Sequence, residues 1–162
     1  MATTPTLKLC DDLVTALTAA WSPVSPDGVE RCYFKRIGDP DDANTKLTGR
    51  KVFIFPTAYA TAGATRGENE YTHRVSVLTV ERFPAATPGD PTTAWVDDRV
   101  DFVHTYVVKG FDYSEDGPPS FNRKLLTLSA EVAEVCDPEK LVTGNRLFYC
   151  LVDLVFSELV AN

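Results

Sequence analysis

The chain has 162 residues, 44% of them hydrophobic and 24% charged, which is the composition of one globular domain spanning 1–162. Its net charge is -7, and it shows no basic stripe of the kind that a tight binder of nucleic-acid backbone uses to neutralise phosphates. Four cysteines without a CxxC pair read as reduced, buried thiols, with a Cys136–Cys150 disulfide as the open alternative.

The N-terminus MATTPTLKL has no basic start followed by an apolar run, so no secretory signal is expected, and no stretch is apolar for long enough to span a membrane. Residues 7–21 place Leu7, Cys10, Leu13, Val14, Leu17 and Trp21 on one helical face. Pro23 and Pro26 then stop the helix. A short strand is expected within 30–37, followed by turn chemistry in GDPDDANTKLTG, 38–49. KVFIFP, 51–56, is a continuous apolar run that suits a central strand covered on both faces.

Residues 57–70, rich in Ala, Thr and Gly, read as a long loop, and Tyr71–Phe83 as a strand of high β-propensity. The alternation in that strand changes phase, with Val75 and Val77 on one face and Leu78 and Val80 on the other. A bulge explains this, and so does a strand covered on one face by its own helix and at one end by another subunit. PAATPGDPTT, 84–93, is a loop, and Thr92 or Thr93 can cap the next helix. In that helix, 94–109, Val96, Val100, Val103 and Val107 recur at helical spacing, with Phe102 and Tyr106 beside them and Gly110 as the stop.

After the loop at 114–120, Leu126, Leu128, Ala130 and Val132 alternate with Thr127, Ser129 and Glu131. DPEKLVTGN, 137–145, has room for one helical turn. Phe148, Cys150, Val152, Leu154 and Phe156 then alternate as a last strand, a better match than the rival helix over 147–160. The expected fold is α+β in the order α-β-β-α-β-β: a mostly antiparallel sheet with two main helices packed on one face.

No catalytic constellation emerges. The histidines, His73 and His104, lack the company of a zinc motif. Gly63 and Gly67 flank no Lys-Ser/Thr, so they make no phosphate cradle. Asp39, Asp41 and Asp42 open like a calcium loop, but Asn44 and Arg50 stand where that loop needs Gly and Glu. Asp97, Asp98 and Asp101 read as a solvated helix face. The expectation is a protein that is not an enzyme and needs no cofactor or metal.

Three stretches together resemble the tail terminator family of long-tailed bacteriophages, in element order and local texture. They are VFIFPTAYATAGATRGENEYTHRVSVLTVERF (52–83), WVDDRVDFVHTYV (95–107) and DPEKLVTGNRLFYCLVDLVFSEL (137–159). The resemblance covers most of 7–160. It implies a virion structural protein, assembled in the host cytoplasm, that forms a homohexameric ring at the head-proximal end of the tail tube. Such a ring ends tube polymerisation and joins tail to neck, with the major tube protein and a head-completion protein as partners. DNA passes through the lumen without specific binding. On this reading Arg66, Glu68, Glu70 and Tyr71 are subunit or tube contacts, and Asp39, Asp41 and Asp42 face the lumen. Another neck or minor tail protein of the same fold, a tail-assembly chaperone or a binding module are the alternatives.

Overall fold

The computed structural model describes residues 4–21, 28–32, 49–84, 86–109, 125–142 and 146–161. Helix α1, Pro5–Trp21, leads into β1, Gly28–Arg31, and then into two long strands, β2, Arg50–Thr65, and β3, Glu68–Arg82. Helix α2, Thr93–Val103, runs on into a π-helical turn at His104–Val108. Strand β4, Leu125–Glu134, the short helix α3, Pro138–Val142, and β5, Leu147–Ala161, complete the fold. The class is α+β, as expected. The short strand expected within 30–37 is β1, which begins earlier at Gly28, so three strands and not two precede α2, and the single turn anticipated within 137–145 is α3.

The five strands form one sheet in the order β1-β2-β3-β5-β4. Every neighbouring pair is antiparallel except β1 and β2, which run parallel. β3 and β5 pair without a register shift from Glu68↔Ala161 to Arg82↔Leu147, so the side chains of both alternate strictly between faces.

One face receives the helices. Leu9, Cys10, Leu13 and Leu17 of α1 and Phe102 and Val103 of α2 join Val52, Ile54, Val75, Val77 and the Phe148–Phe156 alternation of β5 in one buried cluster. Phe148 and Phe156 are fully enclosed, each worth roughly 1.5–3 kcal/mol of burial. The opposite face carries a smaller cluster of Phe53, Leu78, Val80 and Leu147. The phase change in β3 therefore comes from coverage on both sides, since no bulge interrupts its pairing with β5.

Other expectations shift in detail. The buried stripe of α1 runs through Thr6, Leu9, Cys10, Leu13 and Leu17, so Leu9 takes the place foreseen for Leu7; the Trp21 side chain lies outside the described residues. The clean alternation foreseen for β4 is broken by register shifts between Thr127 and Ser129 and between Val132 and Glu134, which leave Leu126 and Leu128 exposed. None of the cysteines is in a disulfide, and only Cys10 and Cys150 are buried. The Asp39, Asp41, Asp42 cluster, Gly110 and the 114–120 loop lie outside the described residues.

α2 is fixed at both its start and its middle. Thr92 caps it, its hydroxyl accepting from the Trp95 amide. Farther along, the Glu81 carboxylate accepts from Arg50 Nε of β2 at 2.8 Å and from Arg99 of α2 at 2.9 and 3.2 Å. The two guanidinium groups also lie over aromatic rings, Arg50 on Phe102 at 4.2 Å and Arg99 on Trp95 at 4.1 Å. Burial alone would raise the Glu81 carboxyl, but the hydrogen bonds and charges of Arg99 and Arg50 outweigh it and hold the pKa below the ordinary value.

Candidate assembly surface

The stretch read from sequence as a long loop, 57–70, is a β-hairpin. β2 continues through Thr65 and turns at Arg66-Gly67 directly into β3. The pairing runs from Arg50↔Glu81 to Thr65↔Glu68, with register shifts between Pro56 and Ala58 and between Gly63 and Thr65. Small, weakly β-forming residues are held in strand conformation here because β3, itself backed by β5, templates them. At the turn, the Gly67 amide donates to the Thr65 hydroxyl. β5 accompanies the hairpin as far as Ala161, so three strands project together. Beyond the level of His73, where α1 ends its cover, this arm extends by six residues to Gly67, roughly 20 Å.

The anticipated contact residues are divided among the surfaces of the arm. Arg66 is exposed at the turn. Glu68 and Glu70 share the face away from the helices, and Glu70 Oε1 accepts from the Ser157 hydroxyl at 2.9 Å. Tyr71 lies on the helix-side face, stacked on His73 with ring centroids 5.7 Å apart and planes 10° from parallel. On the face away from the helices, this half of the sheet presents Ala58, Ala60 and Ala62, four carboxylates (Glu68, Glu70, Glu131 and Asp153), and Arg74 as its cation among the described residues.

At the base of the arm is an arrangement with no sequence signature. His73 is fully buried; its Nδ1 lies 2.8 Å from the Thr6 hydroxyl and its Nε2 lies 3.1 Å from Glu158 Oε2. The three residues are separated by 67 and 85 positions along the chain, which is why no motif announces them. A hydroxyl, an imidazole and a carboxylate in series have the composition of a nucleophile relay. Thr6 is only 2% exposed, however, so its hydroxyl is closed to a substrate. The series instead ties the first turn of α1 to β3 and β5, satisfying polar groups that would otherwise be buried unpaired. An open cleft of about 440 Å³ lies beside it, lined by Thr4, Thr6, Leu7 and Pro56–Tyr59.

The other candidates stay apart. His104, Asp97, Asp98 and Asp101 are exposed along α2 and its π-helical extension, with Asp98 paired to Arg99 at 3.0 Å. No group of His, Cys, Asp and Glu among the described residues is arranged to hold a metal ion. No described helix is long and apolar enough to cross a membrane. No protein-family model matches the chain, and no curated protein matches it at a significant level.

Proposed function

We propose that this chain is a virion structural protein of the tail terminator type. It builds a ring, hexameric by the resemblance of its sequence, at the head-proximal end of a phage tail tube, ends tube polymerisation and joins the tail to the neck. The observation that carries this reading is the three-stranded arm. It extends an ordered, exposed sheet well past the helical layer, with Tyr59 57% and Leu159 44% accessible in a lone subunit. A ring subunit needs two different contact surfaces that close by rotation, and such an arm supplies them.

The role is structural, and its partners are further copies of the chain, the tube protein and a neck protein. Arg66 and Tyr71 are contact residues at the tip and on the helix-side face of the arm. The face away from the helices lines the lumen, where Glu68, Glu70, Glu131 and Asp153 repel DNA phosphates and let the genome pass without sticking. Asp39, Asp41 and Asp42, expected at the lumen from sequence, lie outside the described residues.

Light scattering after size exclusion, followed by negative-stain imaging alone and with tail tubes, tests the proposal. Six-fold rings, or caps at one end of the tubes, are expected. A protein that stays monomeric at high concentration and leaves tube ends bare overturns it.

A further inference from the structure

We propose that neighbouring subunits join by strand pairing: the outer edge of β4 in one copy forms an antiparallel ladder with the outer edge of β2 in the next. The inference rests on the ring reading and adds its contact, its direction and its register.

Both edges are open among the described residues. β1 covers only Lys51–Ile54 of β2, and its last ladder bond runs from Cys32 N to Ile54 O at 3.2 Å. β2 continues past that point to Thr65 with β3 on one side only. β4 closes the opposite flank of the sheet and pairs only with β5. Proteins that must avoid such contacts place lysine, proline or inward charge on their edges. From Thr57 to Thr65, β2 has no charge and no proline, Pro56 standing at the end of that stretch, and β4 carries exposed Leu126 (46%) and Leu128 (52%).

The two edges are also commensurate. Following the pairings across the sheet, Thr61 lies level with Tyr71, Glu158 and Leu125. Tyr59 lies level with His73, Phe156 and Thr127, and Pro56 with Val75, Leu154 and Ala130. Each edge holds one extra residue at nearly the same height, between Pro56 and Ala58 on β2 and between Thr127 and Ser129 on β4. A neighbour set alongside without stagger therefore meets Leu125–Ala130 with its own Pro56–Thr61; beyond Ala130, β4 must leave the joint, because Val132 and Glu134 lie level with Ile54 and Phe53, whose outer side β1 covers.

Backbone direction agrees. Ile54 points outward to β1, so by alternation through four antiparallel strands Pro56, Tyr59 and Thr61 point outward on one flank and Leu125, Thr127 and Ala130 on the other. Level residues thus present donors and acceptors to one another, except that Pro56 has no N–H to offer Ala130, and the Tyr59 side chain lies on the helix-side face beside Thr127, with Leu126 on the opposite face. Rotation about an axis along the strands preserves strand direction. β4 runs opposite to β2, so the joint is antiparallel, and it is head to tail because the two edges differ.

Thr61→Pro and Thr127→Pro each remove an outward amide while leaving the pairing to β3 and β5 in place. Each variant, checked for folding by circular dichroism, is expected to be monomeric by light scattering at concentrations where the unaltered chain forms rings. Mixed together they should form a one-to-one dimer that grows no further, since one good edge of each kind remains. Independently of any folding defect, the Tyr59→Cys/Thr127→Cys chain should give a 59–127 intermolecular disulfide and a ladder of multimers on oxidation, with neither single variant doing so. Rings that persist in both proline variants and lack the 59–127 link overturn the strand joint and leave the ring reading standing. Self-dimers of either proline variant point to a two-fold contact and overturn the head-to-tail arrangement. An unaltered chain that stays monomeric both alone and on tail tubes overturns the strand joint together with the ring reading.

Discussion

Glu81→Gln tests how α2 is held to the sheet. The wild-type carboxylate is 13% exposed and receives three guanidinium hydrogen bonds, one from Arg50 and two from Arg99. Such charge-assisted bonds are worth about 1.5–3 kcal/mol each and do not add. Glutamine keeps one acceptor oxygen but turns an amide donor toward the guanidinium groups, which themselves stay seated on Phe102 and Trp95. The expected loss is about 2 kcal/mol at neutral pH, or roughly 4–8 °C in Tm for a domain of this size. The pH dependence has a definite sign. The folded pKa of Glu81 lies below its ordinary value of 4.5, so the contribution is complete above that value and is lost as pH falls through the folded pKa. Urea unfolding should therefore show a constant gap between wild type and variant at neutral pH that narrows in acid below about 4.5. Exposed Glu131→Gln, with the same change in charge, serves as the control. A loss under about 0.5 kcal/mol, or a gap that does not narrow in acid, would show that packing alone seats α2.

Two further outcomes test the buried groups. Thr6→Val strips the His73 Nδ1 of its partner, and should cost about 1–3 kcal/mol and speed hydrogen exchange at the Lys8 amide, which bonds Thr4 O in the same turn. An unchanged stability and exchange rate would mean that the series does not anchor α1. Burial pushes the Cys10 and Cys150 thiols up to about 12, so at mildly alkaline pH both should resist iodoacetamide until the protein unfolds, while half-exposed Cys136 labels sooner. Equal labelling of Cys10, Cys136 and Cys150 in the native state, read by peptide mass spectrometry, would contradict the burial of Cys10 and Cys150 in the core between helices and sheet.

The sequence by itself determined the class of fold and the parts whose signal is local. Period-two alternation over Phe148–Phe156 survives intact because β5 is central and every second side chain meets the helices. The Thr92 cap and the α3 turn are readable because their chemistry lies within a few residues. Tertiary structure decided the rest. Residues 57–70 have loop composition, yet they extend as strand because β3, backed by β5, supplies the ladder that their own propensity does not. Leu126 and Leu128 look like core by alternation, and the register shifts of β4 turn them to solvent. The Thr6–His73–Glu158 series exists only once a helix and two strands meet, since a lone histidine in sequence carries no record of partners 67 and 85 residues away. The commensurate edges are equally invisible in the chain, because the height of a residue in a sheet is set by the sum of every register between the two flanks.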